Sequence, residues 1–255
     1  MLSLFKKKIK VGSLLMEVPK DMSWCFANND YYEINVIYWL DRITTRRSNS
    51  VLYDIGANYG YFTLRYASVC SHVYAFEPVS RTYEILGANI SKNRLVNVTP
   101  CRVALSDSQS EAPINLYSSS GNNSLFHRIL PGWHSLKCTG EEIVSVTTLD
   151  LLLRESVLRP PDILKIDVEG AELSVVLGGL DAIATFKPFI IVEYGAETCR
   201  DAGYNQEELR KIIEDKGYDI AGLSSQAEDL TLYSGHDFAR VDIANLVCIP
   251  KGESI

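Results

Sequence analysis

Two groups of residues in this sequence have types and spacing suited to chemistry. The first is Asp54-Ile-Gly56-Ala-Asn58-Tyr-Gly60, followed after a predicted helix and strand by Phe76-Glu77-Pro78. Gly56 and Gly60 let the backbone turn tightly and come close to a ligand, and a helix starting there offers unsatisfied backbone N–H groups. The pattern is GxNxG. Asn58 replaces the second glycine of the dinucleotide fingerprint and the third is absent, so a diphosphate loses the bare backbone it needs. Asp54, just before the glycine, suits a ligand with an amino group, whose carboxylate can still meet the N–H groups of the turn. Glu77 ends the next strand, where an acidic side chain accepts bonds from two ribose hydroxyls, and Pro78 fixes the exit of the chain.

The second group is Asp167-Val-Glu169-Gly-Ala-Glu172, joined by Glu193-Tyr194 at the end of the following strand. Ligand clefts form at such strand ends. Two chemistries compete for these acids: a general base acting on an acceptor hydroxyl, or hard oxygen ligands for a divalent metal such as magnesium. Clustered carboxylates raise one another's pKa, which suits a base. The base reading is preferred, with Asp167, Glu169 and Glu193 as the catalytic candidates and no residue assigned to metal. Glu172 is read equally well as favourable charge at a helix N-terminus. Of the four histidines, His127 and His134 fall in a polar segment, where an exposed loop histidine is the simpler reading. Trp24, Tyr31 and Tyr32 could stack on a sugar ring, although aromatic clusters in such positions are usually core.

These residues require strands that end together. Val51–Ile55, His72–Phe76, Val96–Leu105, Ile163–Val168 and Phe189–Glu193 read as strands, with Tyr218–Gly222 and Asn245–Ile249 as the last two. Between them, Tyr61–Cys70, Ser80–Asn93, Thr148–Leu158, Ala171–Phe186 and Asn205–Lys216 read as helices. Alternating strands and helices predict an α/β fold with a doubly wound, mostly parallel sheet and helices on both faces. Residues 1–49 read as an N-terminal extension and possible acceptor-side cap, with a strand over Val11–Val18, a helix over Asp30–Leu40 and a connector over Arg42–Ser50. Residues 50–255 form the main domain. Within it, 108–144 is an insertion-like polar loop or small hairpin region.

The chain has 255 residues, is 46% hydrophobic and 22% charged, and carries a formal net charge of -7. This is ordinary for a soluble globular protein, and the acidic balance argues against a nucleic-acid partner. The six cysteines are scattered without a metal or redox spacing and read as small hydrophobes in a reducing compartment. The basic start MLSLFKKKIK has no apolar run behind it, so it does not read as a secretory signal. No stretch is long and apolar enough for a membrane span. Cytoplasmic location is expected. The sequence allows a homodimer without specifying one.

A ligand with a ribose and an amino-acid tail but no phosphate is S-adenosylmethionine. The ordered set DIGANYGYFTL (54–64), FEP (76–78), ALSD (104–107), LKIDVEGAE (164–172) and IIVEY (190–194) resembles the FkbM-type methyltransferase family. The resemblance implies a class I methyltransferase (Rossmann-like) fold with a seven-stranded sheet whose last strand is antiparallel. It also implies O-methylation of a sugar, glycan or related small-molecule hydroxyl. Carried onto these residues, it places Asp54, Gly56, Asn58 and Gly60 around the amino-acid part of the cofactor, and Glu77 and Pro78 at the ribose. Ala104 and Leu105 would lie beside the adenine, Ser106 or Asp107 would bond its exocyclic nitrogen, and Asp167 would sit near the sulfur. Thr63 is either a further contact or a helix-start residue. The competing readings are an NAD(P)-dependent oxidoreductase, a nucleic-acid or protein methyltransferase on the same fold, and a cofactor-binding module without catalysis. The missing third glycine opposes the first. The absence of an Asn/Asp-Pro-Pro-aromatic run after the fourth strand opposes the second, and the acidic cluster opposes the third.

Overall fold

The computed structural model describes residues 6–19, 33–118, 120–126, 137–155 and 158–255. It opens with an antiparallel hairpin, β1 (Lys6–Val11) and β2 (Leu14–Pro19), and helix α1 (Ile34–Arg46). The repeating part follows with β3 (Val51–Ile55), α2 (Tyr61–Ala67), β4 (His72–Phe76), α3 (Ser80–Lys92) and β5 (Val98–Cys101). A side excursion comprises β6 (Ala104–Leu105), β7 (Ser110–Tyr117), a 3-10 turn at Ser120–Asn122 and β8 (Cys138–Thr147). The chain continues through α4 (Leu149–Arg154), β9 (Ile163–Ile166), α5 (Glu172–Leu177), α6 (Leu180–Phe186) and β10 (Phe189–Glu193). It ends with α7 (Ala196–Asp201), α8 (Gln206–Asp215), β11 (Tyr218–Ser224), β12 (Tyr233–Ser234) and β13 (Ile243–Pro250).

The main sheet has the order β12-β11-β13-β10-β9-β3-β4-β5. Strands β3, β4, β5, β9 and β10 pair in parallel, and β13 runs antiparallel to both neighbours. This is the expected sheet with one short edge strand, β12, added. All five residues of β3 are buried, as a central parallel strand covered on both faces requires. On one face, residues from the hairpin, α1, α2 and α3 share a core with Leu52, Val73 and Ile163. On the other, Tyr53, Leu164 and Ile166 pack with Val175, Ile183, Leu209 and Ile213. Because strand side chains alternate, Lys165 shares the Ile163 face.

Four expected elements differ, and a fifth takes one of its two expected forms. The Val11–Val18 strand is a hairpin turning at Gly12 and Ser13, and α1 continues through Arg46 into the expected connector. The Val96–Leu105 strand stops at Cys101, because its neighbour β4 ends opposite it at Phe76, and Ala104–Leu105 pair instead with Val146–Thr147 of β8. The segment 108–144, expected as a polar loop or small hairpin region, takes the hairpin form and contributes β7 and most of β8 to a separate three-stranded sheet. The Ala171–Phe186 helix divides at Gly178-Gly179. There the chain runs so close to the excursion that a Cβ on Gly178 would lie 1.8 Å from the Ser106 carbonyl oxygen.

Candidate active site

The turn after β3 is built by close contact with the neighbouring strand ends. Gly56 has φ +86°, and a Cβ there would lie 1.8 Å from the carbonyl oxygen of Asp167 at the end of β9. The N–H groups of Gly56 and Ala57 both donate to the Phe76 carbonyl at the end of β4. The glycine therefore brings the ends of β3, β4 and β9 together. Anything seated on this turn lies against Asp167.

Asp54 is fully buried below the turn. Thr63 Oγ1 donates to its Oδ2 at 2.5 Å, and its Oδ1 is buried without a hydrogen-bond partner among the described residues. Burial raises the Asp54 pKa, a shift that Lys165 and the Thr63 hydroxyl partly offset. Glu77 Oε2 accepts from the Asn58 N–H at 3.1 Å and Oε1 from the Val79 N–H at 3.0 Å. Burial pushes the Glu77 carboxyl up to about 7, against these two N–H donors and with help from the nearby Asp54 and Glu142 carboxylates. Each carboxylate oxygen has further acceptor capacity.

At the end of β9 the acids have separate roles. Glu172 is fully buried and turned back into its own loop. It accepts from the Val168 N–H at 3.0 Å, from the Gly170 N–H with both oxygens, and from the Tyr204 hydroxyl at 3.2 Å. Burial raises its pKa. This latch holds Glu169 in the left-handed region at φ 58°. Asp167 Oδ2 accepts from Lys165 Nζ at 2.8 Å. Burial opposes the Lys165 charge, but Asp167, Asp54 and Glu33 outweigh it and hold the ammonium above its ordinary pKa. Lys165 Nζ also lies 4.5 Å from the centre of the Phe62 ring.

A cavity of about 370 Å³ joins these parts, within the size range of small-molecule sites. Gly56, Asn58, Glu77, Pro78, Ala104, Leu105, Asp167 and Glu169 line it. Asp54 and Gly60 are buried and are not among the lining residues. Asp107 is exposed and Glu193, at the end of β10, is half-buried; neither lines the cavity. Ser106 is half-buried outside it. Trp24, Tyr31, Tyr32, His127 and His134 lie outside the described residues. Among the described residues no three His, Cys, Asp or Glu side chains form a group that could hold a metal ion, and no helix is long and apolar enough to cross a membrane.

Several lining residues were not expected from the sequence. The excursion roofs the cavity with Ile114, Asn123 and Leu125 and is tied to both strand-end loops. Ser120 Oγ donates to Asn58 Oδ1 at 3.3 Å and Ser124 Oγ to the Glu169 carbonyl at 2.7 Å. Tyr59, Tyr61 and Phe62 of the α2 start, with Lys165, form another part of the wall. Lys165 did leave a signal: one lysine within Ile163–Ile166, a strand whose flanking positions are all apolar. Buried lysines persist only when paired.

A methyltransferase FkbM domain model matches residues 54–220. A hexuronic acid methyltransferase of Haloferax volcanii, AglP, is 29% identical over 168 residues, which is 65% of this chain and 62% of that protein. The methyltransferase sdnD of Sordaria araneosa is 28% identical over 218 residues, covering 74% of this chain and 81% of that protein. A solved structure of an FkbM methyltransferase from Methylobacillus flagellatus KT superposes with a TM-score of 0.50 at 16% identity, over 78% of this chain and 43% of that one. The chain thus spans less than two thirds of the archaeal relative and less than half of the solved protein. The sheet with its antiparallel β13, the strand-end turn and the matched span agree: this chain belongs to the FkbM methyltransferase family.

Proposed function

We propose that this protein is an S-adenosylmethionine-dependent O-methyltransferase whose acceptor is a hydroxyl of a sugar, glycan or related small molecule. The observation that carries the reading is one continuous cavity that runs from the Gly56–Asn58 turn and Glu77 to Asp167 and Glu169. The residues fit the cofactor. Asp54 does not line the cavity, but its buried Oδ1, unpartnered among the described residues, lies below the turn and suits an amino group, and Glu77 retains acceptor capacity for ribose hydroxyls. Pro78, Ala104, Leu105 and Leu125 give an apolar seat for a base. Asp107, exposed outside the cavity, is the weakest of the proposed cofactor contacts.

When bound, S-adenosylmethionine supplies a methyl group on a positively charged sulfur. The chain then has two tasks: to align an acceptor oxygen with that methyl group and to take the proton of the oxygen. Asp167 is the proposed base. Glu169, on the same cavity wall, binds or deprotonates the acceptor, and Glu193 is the outlying candidate. Tyr59, Tyr61 and Phe62 line the cavity and give it an aromatic wall against which a sugar ring could pack. The archaeal relative, a hexuronic acid methyltransferase, supports a carbohydrate acceptor.

Calorimetry with S-adenosylhomocysteine and NAD tests the cofactor; binding of NAD alone would overturn the reading. Transfer of labelled methyl to a panel of hexoses, methyl glycosides and hexuronic acids tests the acceptor. Label that resists mild base is an ether on a hydroxyl, as proposed; label released by base is an ester and contradicts it. An unchanged rate after exhaustive chelation is expected, and loss of rate restored by magnesium would replace the base with a metal.

A further inference from the structure

We propose that Lys165 is a positioning residue that fixes the Asp167 carboxylate where the methyl group is passed; this rests on the methyl-transfer reading of the cavity. Lys165 is only 4% exposed and stands on a strand whose other three residues are apolar and buried. Apolar side chains of similar size in place of both Lys165 and Asp167 would often be no less stable, since burying an ion pair costs desolvation on both sides. The lysine therefore calls for a reason other than stability.

Its surroundings supply one. Nζ lies 4.5 Å from the centre of the Phe62 ring of α2 and hydrogen-bonds Asp167 Oδ2 at 2.8 Å. The charged groups acting on it are Asp167 from its own strand end, Asp54 from β3 and Glu33 ahead of α1. The hydrogen bond goes to Asp167. Asp54 Oδ2 is held by Thr63 instead. Among the described residues, Asp167 Oδ1 has no protein partner, while the side chain is 24% exposed and lines the cavity. One oxygen is thus clamped, and the other is left to accept from a ligand in the cavity that the residue lines. The Asp167 carbonyl against Gly56 sets that space directly beside the turn that would carry the donor.

The test compares two ligands that share adenosine and amino-acid parts and differ at the reacting centre. S-adenosylhomocysteine has a neutral thioether there; sinefungin has an amine-bearing carbon. Their affinities are measured by calorimetry for the wild type, Lys165→Met, Asp167→Asn and the double variant, with thermal melts of all four. Each single variant is expected to shift the preference about tenfold away from sinefungin, the scale of one charged hydrogen bond, and the double variant no further. An unchanged preference in Lys165→Met overturns the proposal, as does a double variant in which the two losses multiply. If Lys165→Met fails to fold, Asp167→Asn against the double variant, which removes both charges together, decides: equal preferences support the proposal and a further loss overturns it. A wild type that binds neither ligand defeats the methyl-transfer reading itself. Binding of both with unchanged preferences defeats only the role of Lys165.

Discussion

Thr63 Oγ1 donates to one oxygen of the buried Asp54 carboxylate, and the other oxygen has no partner among the described residues. A carboxylate left half satisfied in a dry site is costly, and an amino group arriving from a ligand would complete it. Asp54→Asn is therefore expected to weaken S-adenosylhomocysteine binding by about ten- to a hundredfold, the worth of a charge-assisted hydrogen bond. Thr63→Val should cost about 1–3 kcal/mol of stability by stripping the remaining donor. Calorimetry and thermal melting check the pair. Unchanged affinity in Asp54→Asn would move the cofactor away from this carboxylate.

Glu77 gives a pH signature. Its carboxyl is pushed up from 4.5 to about 7, chiefly by burial. Between those values the folded protein holds a proton that the unfolded chain has released, so this contribution to stability falls as pH rises through the window. Ribose hydroxyls donate to the ionised carboxylate. Ligand binding should then expel the proton, and affinity for S-adenosylhomocysteine should rise with pH toward and through about 7, by at most about tenfold per pH unit. Glu77→Gln should bind weakly and without this dependence. A slope that survives in Glu77→Gln would assign the proton to another group, with Asp54 the first candidate.

Two glycines separate close approach from simple helix propensity. Gly56→Ala places a methyl on the Asp167 carbonyl at a φ of +86°, and should cost about 3 kcal/mol or more. Gly87 lies within α3, and a Cβ there meets nothing within 4 Å. Gly87→Ala should stabilise by about 0.5–1 kcal/mol. Denaturant unfolding of both variants measures the contrast. A tolerated Gly56→Ala would mean that the ends of β3 and β9 are not pressed together.

How much was legible in the sequence depended on where the cause of each feature lay. The apolar run Val51–Ile55 and the turn after it carry their causes locally: continuous burial, then glycine at a positive φ. The β7–β8 pairing is only half legible, because the segment reads equally as a polar loop or a small hairpin region. Ser110–Tyr117 begins with exposed polar residues and contains Pro113, so its apolar side shows only weakly. The break between α5 and α6 was invisible because its cause is the Ser106 carbonyl, remote in sequence from Gly178. The acids of DVEGAE were legible as a group but not individually. Their types are alike, and only the fold decides that Asp167 and Glu169 face the cavity while Glu172 turns inward. Glu193 ends its strand as expected, yet is not among the cavity-lining residues.

That division among the acids carries the last prediction. Glu172 accepts from two backbone N–H groups of the Asp167–Gly170 loop and from Tyr204. Glu172→Gln keeps the shape but turns an amide NH₂ toward N–H donors. Such a change should cost about 3 kcal/mol, and a melting temperature lower by roughly 5–10 °C in a chain of this length. Transfer activity should fall as well, because the loop that sets Asp167 and Glu169 is released. Asp167→Asn, outside the latch, should remove activity outright, and it too should melt below the wild type, because it leaves the buried Lys165 ammonium without its hydrogen-bonded carboxylate. Calorimetric melting and the transfer assay on both variants check the contrast. A Glu172→Gln protein that melts with the wild type yet transfers no methyl would make Glu172 a chemical group rather than the latch its hydrogen bonds describe.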